Sequence, residues 1–318
     1  GKLDLKINSA TGLIERFLID GKEVFSSSAD GYLPSMLANL IRNQTGGDVV
    51  STDVSASVLA RLQSLSSEYE KTRLLPDSYQ LEQISDTHYR ITLDYIWVTY
   101  PNKYYRAFAL DTSYRVVYDI YADGQMEISV TYDPSNTATT PIELSTILTL
   151  PSEFTKMSWY GRGPGESYSD KAADTRVDIF ENETIKDHFE TQYLYSTGSG
   201  DKTEVRWAAF EREDGSGIVI TSDTNLFAFN VGGDYPWNNS AYMSNSSSQT
   251  VLRIIAQQRG VSANTLFDEM YTEANYIVPG QRYTYSFRII PVESGYDAEE
   301  ISKTVLGTEE TLQPDEIT

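Results

Sequence analysis

Apolar and polar residues alternate along much of this chain, and two stretches alternate without interruption. Between residues 126 and 132 and between residues 283 and 289, every second position is apolar or aromatic, and the positions between are polar or charged. A period of two is typical of a strand with one face in a core and the other towards solvent. We predict that both stretches are half-buried β-strands. Their apolar positions are Met126, Ile128, Val130, Tyr132, Tyr283, Tyr285, Phe287 and Ile289.

Asp-Gly pairs separate several of the alternating stretches. They occur at Asp20-Gly21, Asp123-Gly124 and Asp214-Gly215, and such a pair between two strands is a strong hairpin signal. The pattern predicts an all-β fold, a large antiparallel β-sandwich. We expect a single domain over residues 1–292, with two lobes at about 1–150 and 151–292.

Two segments depart from this alternation. Residues 53–72 carry apolar positions at helical spacing, which predicts one short helix. Beyond residue 292 the sequence becomes rich in Asp and Glu. We expect an acidic C-terminal tail at 293–318 that begins as a helix over Ala298–Val305 and then frays.

Composition limits the partners. The chain has 318 residues, 40% of them hydrophobic, and a formal net charge of −21, so it can bury a core and repels nucleic acid and anionic membranes. It has no cysteine and no apolar run of the roughly 18 residues that a membrane span needs. A neutral ligand is compatible with the charge. The compartment stays open: we expect a periplasmic or extracellular location, with a cytoplasmic one as the alternative.

A segment dense in glycine, residues 159–170, stands out. Its glycines and proline at 161–165 predict a turn rather than the interior of a strand or helix. Glu166 and Asp170 are the acids we single out for sugar chemistry, which needs a pair of carboxyl groups. The interpretation we favour is that they pair with Arg162 and hold the loop. Large rings flank the segment at Trp159, Tyr160 and Tyr168.

Other catalytic signals are weak. The chain has two histidines, His88 and His188, and neither has a metal-ligand spacing, so each is interpreted as a surface or capping residue. No Gly-x-Ser-x-Gly sequence marks a nucleophile. The segments at 161–165 and 198–203 imitate phosphate-binding loops with the wrong spacing. We predict no catalytic residue, no metal site and no cofactor in this chain.

Aromatic residues offer a different kind of site. Trp97, Tyr235 and Trp237 lie among polar neighbours, and sugar rings stack on such faces. Core packing explains most aromatic residues of β proteins, so these three are candidate carbohydrate contacts with a structural alternative.

Several motifs, in order, resemble one family. Residues 159–170 read Trp-Tyr-Gly-Arg-Gly-Pro-Gly-Glu-Ser-Tyr-Ser-Asp, which is similar to the Trp-x-Gly-Arg-Gly-Pro-x-Glu-Asn-Tyr-x-Asp-Arg loop in the C-terminal, small-chain domain of β-galactosidases from glycoside hydrolase family two. Residues 11–23, 200–207, 258–261 and 279–288 also resemble that domain. The resemblance spans about residues 2–292 and implies a galactose-mutarotase-like sandwich, often called a supersandwich.

In that family the catalytic glutamates lie on a separate TIM barrel, and no (β/α) alternation appears here. The resemblance therefore implies a barrel domain as partner, beside which this domain packs and whose galactoside pocket it lines. The lining residues would follow Arg259-Gly260, where Asn264 and Phe267 replace the usual aspartate and tryptophan. The loop also departs at Ser167 and Lys171, and the family's early Trp-Arg-Ala-Pro-Thr-Asp-Asn stretch is not recognisable around 40–43.

Three functions follow as hypotheses. The first is a non-catalytic domain of a β-galactosidase-like hydrolase, inactive by itself. The second is a stand-alone carbohydrate-binding sandwich. The third, and the weakest, is a mutarotase-like epimerase, which needs a general acid and base, commonly His with Glu.

Overall fold

The computed structural model describes residues 3–26, 36–39, 42, 72–75, 77–97, 112–134, 143–189, 199–232, 249–261, 277–278 and 280–306. Strands dominate these ranges. In chain order they are β1 (Leu3–Ile7), β2 (Ile14–Ile19), β3 (Lys22–Phe25), β4 (Met36–Asn39), β5 (Thr72–Leu74), β6 (Gln80–Ser85), β7 (His88–Trp97), β8 (Thr112–Tyr121), β9 (Met126–Pro134), β10 (Glu143–Pro151), β11 (Phe154–Gly163), β12 (Arg176–Thr184), β13 (Lys202–Val205), β14 (Trp207–Arg212), β15 (Gly217–Thr221), β16 (Phe227–Gly232), β17 (Gln249–Gln258) and β18 (Tyr283–Val292).

These strands form three antiparallel sheets. The smallest has the order β1-β2-β3, and a five-stranded sheet has the order β13-β16-β17-β10-β4. The largest, of ten strands, has the order β12-β11-β14-β15-β18-β9-β8-β7-β5, with β6 also paired to β7. Both larger sheets draw strands from before and after residue 150, so the proposed lobe division marks no sheet boundary.

The core lies between the two larger sheets. Trp159 of β11 and Phe210 of β14 place their rings 5.9 and 5.7 Å from the ring of Phe229 in β16, centroid to centroid. Each contact joins a strand of the ten-stranded sheet to one of the five-stranded sheet. All nine residues of β10 are buried, so that strand is covered on both faces. The predicted all-β antiparallel sandwich is confirmed.

The alternating stretches are strands with the predicted faces, with one exception. Met126, Ile128, Val130 and Tyr132 of β9 are buried, and the residues between them are half-buried. In β18, however, Arg288 on the polar face is only 2% exposed. It donates to the Asp223 carboxylate at 2.7 Å and to the Thr304 carbonyl at 2.5 Å. The segment after β18 therefore covers this outer position.

All three Asp-Gly hairpins are confirmed. They connect β2 to β3, β8 to β9 and β14 to β15, and each pair of strands is hydrogen-bonded. In the first turn, Asp20 and Gly21 both have positive φ, 48° and 75°. That combination belongs to the two-residue turn whose twist matches the flanking strands, and it explains the Asp-Gly choice.

The predicted helices have different outcomes. The helix expected over 53–72 lies outside the described residues, apart from Thr72, which begins β5. The helix expected at the acidic C-terminus is present as α1 (Ala298–Ser302), shorter than predicted. The Asp297 carboxylate caps it by accepting from the N–H groups of Glu299 and Glu300 at 2.9 and 3.1 Å. A 3-10 turn also spans Ile185–His188, directly after β12.

Gly217 gives a test of how closely β14 and β15 approach. A Cβ atom there would lie 2.1 Å from the Phe210 carbonyl oxygen, and a backbone atom cannot move aside as a side-chain end can. We expect Gly217→Ala to lower the free energy of unfolding by about 3 kcal/mol in urea denaturation. Gly165→Ala is the control, since a Cβ there meets nothing within 4 Å. It should change stability by less than about 1 kcal/mol, and equal effects would contradict this account.

Candidate functional site

One arginine and two carboxylates are buried together on the five-stranded sheet. Arg253 in the middle of β17 donates to Glu143 at the start of β10, with Nη1 2.5 Å from Oε2. Its Nη2 lies 3.2 Å from Oδ1 of Asp201, the residue before β13. The Arg253 side chain is 6% exposed and both carboxylates are completely buried. One guanidinium thus ties together three segments that are far apart in sequence.

Neutral side chains complete the coordination of both carboxylates. Glu143 also accepts from the Ser145 hydroxyl at 2.5 Å and the Asn39 amide at 3.3 Å. Asp201 accepts from two amide groups, each at 2.7 Å, which belong to Asn230 and Gln258. Buried charges are tolerated only when they are paired and hydrogen-bonded in this way. We call this set the buried ion network: Arg253, Glu143, Asp201, Asn39, Ser145, Asn230 and Gln258.

Burial and nearby charges act in opposite directions on Glu143. Burial raises the pKa of Glu143 above its ordinary value, and the positive charge of Arg253 opposes that shift. A second fully buried arginine, Arg42, also favours the ionised form of Glu143. Two arginines thus oppose the effect of burial on Glu143, because a nearby positive charge favours the ionised form of a carboxyl group.

Arg42 links the network to the segment that follows β17. Its Nη2 donates to the backbone carbonyls of Arg259 and Gly260 at 3.1 and 3.4 Å. Asp170 holds the same segment as well, since its Oδ1 accepts from the Val261 N–H at 3.0 Å. Gly260 is required at this contact, because a Cβ there would lie 2.4 Å from the Asp170 carboxylate. The backbone at 259–261 is thereby clamped between two side chains.

The Gly-rich segment is attached beside the network through the backbone and the hydroxyl group of Ser167. The Ser167 N–H donates to the Asp201 carbonyl at 2.8 Å, and the Ser167 hydroxyl lies 2.7 Å from that of Thr203. Glu166 pairs with Lys171 and accepts from the Gly200 N–H at 2.8 Å. Thus the three regions singled out in sequence, at 40–43, 159–170 and 258–261, all have described residues at this one place.

The prediction that Arg162 is braced by Glu166 and Asp170 is wrong. Arg162 Nε instead lies 2.5 Å from the Glu204 carboxylate, and its Nη1 donates to the Thr175 carbonyl at 3.3 Å. Arg162 is still part of β11, so its side chain leaves the strand beside β13. The chain turns only after Gly163. Glu166 then lies next to Gly200, and Asp170 lies next to Val261.

The expected turn over 161–165 also begins later than predicted, because Gly161 and Gly163 belong to β11. Glycine is needed there for space. A Cβ on Gly161 would lie 2.9 Å from Val205, and one on Gly163 would lie 2.8 Å from the Trp159 ring. Glycine inside a strand commonly marks such a close approach.

Two of the three aromatic residues of the motif, Trp159 and Tyr168, are core residues, whereas Tyr160 is partly exposed. Trp159 is completely buried, its Nε1 donates to the Arg162 carbonyl at 3.1 Å, and its ring stacks on Phe180 at 4.7 Å. Tyr168 is 1% exposed, and burial raises the pKa of its hydroxyl well above the ordinary value. These rings fix the loop to the sandwich and leave no face for a ligand.

The family model for the β-galactosidase small chain matches residues 1–289. The chain belongs to that family. It is 31% identical over 197 residues to a β-galactosidase from Priestia megaterium, a match that covers 58% of this chain and 18% of that protein. A β-galactosidase from Halalkalibacterium halodurans is 31% identical over 111 residues, which are 34% of this chain and 11% of the relative. The matches thus span less than a fifth of each relative.

The small-chain domain also has the fold that the resemblance implied. A crystal structure from Escherichia coli K12, of a protein assigned as an aldose 1-epimerase, superposes with a TM-score of 0.53. The alignment covers 92% of this chain and 97% of that one at 13% identity. At this identity the likeness establishes the mutarotase-like fold and nothing about activity.

The predicted sugar contacts of the small-chain domain stay predictions. Asn264, Phe267, Tyr235 and Trp237 lie outside the described residues. Trp97 ends β7, where its backbone pairs with Thr112 and Thr72. The described backbone at 259–261 leads into the segment that carries Asn264 and Phe267.

The two histidines are mostly buried, so their interpretation as surface or capping residues is wrong. His88 Nε2 lies 2.6 Å from the Asp119 carboxylate, and its ring stacks on Tyr121 at 4.5 Å. His188 lies edge-on to Trp159, 5.6 Å between centroids, and burial lowers its pKa. Neither bonds to the buried ion network. Among the residues described, no three or more His, Cys, Asp or Glu could hold a metal ion, and no described helix is long and apolar enough to cross a membrane.

Sequence reasoning missed Glu143, Asp201 and Arg253. A signal for the last was present, since Arg253 interrupts the apolar run Val-Leu-Arg-Ile-Ile. A cation in a strand buried on both faces requires a buried anion, although the sequence does not identify which one.

Replacing Arg253 tests how much the buried ion network contributes to the stability of the fold. We expect Arg253→Met to lower the free energy of unfolding by about 3–5 kcal/mol, because it leaves two buried carboxylates without their shared cation. Arg16→Met is the matched control, since Arg16 pairs with Asp4 on the surface, with side chains 50% and 44% exposed. It should cost about 1 kcal/mol or less. A loss of similar size in both variants, measured by urea denaturation, would contradict the account.

Proposed function

We propose that this chain is a non-catalytic domain of a β-galactosidase-like glycoside hydrolase, which packs beside a catalytic TIM-barrel domain elsewhere in the parent protein. Its family membership and its match to less than a fifth of each relative support a partial role. The observation that carries the proposal is the state of its buried acids. Glycoside hydrolysis needs one protonated and one ionised carboxyl that both reach the substrate. Glu143 and Asp201 are completely buried and are held by one arginine.

We also propose how the domain contributes to a galactoside pocket. The clamp of Arg42 and Asp170 on residues 259–261 fixes the start of the segment that holds the candidate contacts Asn264 and Phe267. Because these contacts fix the backbone at 259–261, they restrict the conformations that the following residues can adopt. We propose that Arg42 and Asp170 are positioning residues, which act on the substrate through that segment.

Complementation tests the domain role. The purified chain should hydrolyse no chromogenic galactoside, whereas the remainder of the parent protein should gain activity when this chain is added. The control is the Arg253→Met variant, which we expect to be destabilised and therefore to restore less activity than the unaltered chain. Turnover by the chain alone, or full activity of the remainder without it, would overturn the proposal.

Asp170 tests the positioning role. We expect Asp170→Ala to lower kcat/KM of the assembled enzyme about tenfold or more, because small displacements of substrate-contacting groups are costly. Association between the two parts should be retained, as measured by size-exclusion chromatography. Asp174→Ala is the matched control, since Asp174 is exposed and lies four residues after Asp170. Equal activity of the two variants would remove the positioning role.

A further inference from the structure

A pocket opens at one end of the sandwich, on the side of the five-stranded sheet that faces the ten-stranded sheet. It has a volume of about 350 Å³, within the range of small-molecule sites. Its floor consists of the buried core residues Leu144, Phe227, Ile254 and Phe287. Its residues are not members of the buried ion network.

The pocket lies beside the part of β18 that, among the described strands, pairs with β9 and not with β15. Strand β15 pairs with β18 over Arg288–Val292 only, whereas β9 pairs with it over Tyr283–Ile289. After Thr221 the chain leaves the sheet through residues 222–226 and crosses to β16. The Ser222 hydroxyl donates to the Ser286 carbonyl at 2.9 Å, which shows that this carbonyl faces the gap. Thr284, two residues earlier, directs its own N–H and C=O to the same side.

The walls of the pocket are held in place by hydrogen bonds. The Tyr285 hydroxyl donates to the Ser145 carbonyl at 2.8 Å, which ties the two sheets together below the pocket. The Tyr283 hydroxyl accepts from the Val278 N–H at 2.8 Å. Because both phenol groups are already engaged, the rings are rigid surfaces. A preformed pocket binds with a smaller ordering cost than a mobile one.

The chemistry of the lining selects the ligand class. None of the described residues that line the pocket is Asp, Glu, Lys, Arg or His, and the neighbouring Asp223 is paired with Arg288 at 2.7 Å. The lining also contains hydroxyl and amide side chains, which belong to Ser222, Thr224, Asn225, Gln257, Thr284 and Ser286. An apolar floor, a tyrosine wall and an uncharged polar rim match a pyranose ring, whose faces are apolar and whose edge carries hydroxyl groups.

We propose that this pocket is a binding site for a neutral saccharide. A charged sugar would bind poorly, because burying a carboxylate without a cationic partner is costly and the chain itself carries a net charge of −21. The proposal does not depend on the proposed function, since it needs no catalytic partner.

The test uses the 318-residue chain and saturation-transfer NMR with methyl β-D-glucopyranoside, methyl β-D-galactopyranoside and lactose. At least one should bind saturably, with a dissociation constant in the millimolar range. Glucuronate, which differs from glucose by a carboxylate, should bind at least about tenfold more weakly, a difference of about 1.4 kcal/mol. Ala256→Phe, at an exposed position of the lining, should fill the pocket and abolish binding.

Ala173→Phe is the matched control, since Ala173 is exposed and lies outside the pocket lining, and this variant should bind as the unaltered chain does. Thr224→Trp, at the exposed rim, provides a second block if Ala256→Phe unfolds the protein. The absence of saturable binding by all three neutral sugars would overturn the proposal. So would binding that survives both blocking variants. If Ala256→Phe instead weakens association with the remainder of the parent protein while no sugar binds, the pocket is a protein-docking site and the proposal is wrong.

Discussion

The contact of Arg253 with Glu143 and Asp201 is the interaction on which the rest of the site depends. It joins β10 to β17 and to the residue that precedes β13, so a single guanidinium connects the centre of the five-stranded sheet to its edge. The Asp201 carbonyl in turn receives the Ser167 N–H, which attaches the Gly-rich segment. Glu143 and Asp201 also accept hydrogen bonds from neutral members of the network. Removing Arg253 would leave both buried carboxylates without their shared cation.

The parts of the fold that could be predicted from sequence are those set by near neighbours in the chain. Alternation identified β9 and β18 because burial on one face imposes a period of two residues. The Asp-Gly hairpins were predictable because positive φ at two successive positions is a local demand. Arg288 shows the limit of this reasoning. Its position on the polar face was clear, but its burial depends on residues 302–304, which fold back over the sheet.

The candidate site was less predictable because its contacts join distant residues. Arg162, Glu166 and Asp170 are close in sequence, which suggested that they pair, yet Arg162 bonds to Glu204 and Asp170 to the backbone of Val261. Continuation of β11 through Gly163 separates them. The glycines that suggested a loop are there because Val205 and the Trp159 ring come too close for any side chain. Only the resemblance to the small-chain family indicated which segments meet at the site. It did not specify the contacts between them.

The sandwich therefore contains two polar regions of opposite character. In the buried ion network each carboxylate accepts three hydrogen bonds, so a ligand could enter only by displacing bonds that hold the sheet together. In the pocket beside β18 the polar groups are uncharged, and the strand edge at Tyr283–Phe287 pairs with β9 on one side. A ligand in this pocket can form hydrogen bonds with the protein without breaking any hydrogen bond of the buried ion network. The same fold thus uses charge where it must hold segments in place, and neutral polar groups where it has space to bind.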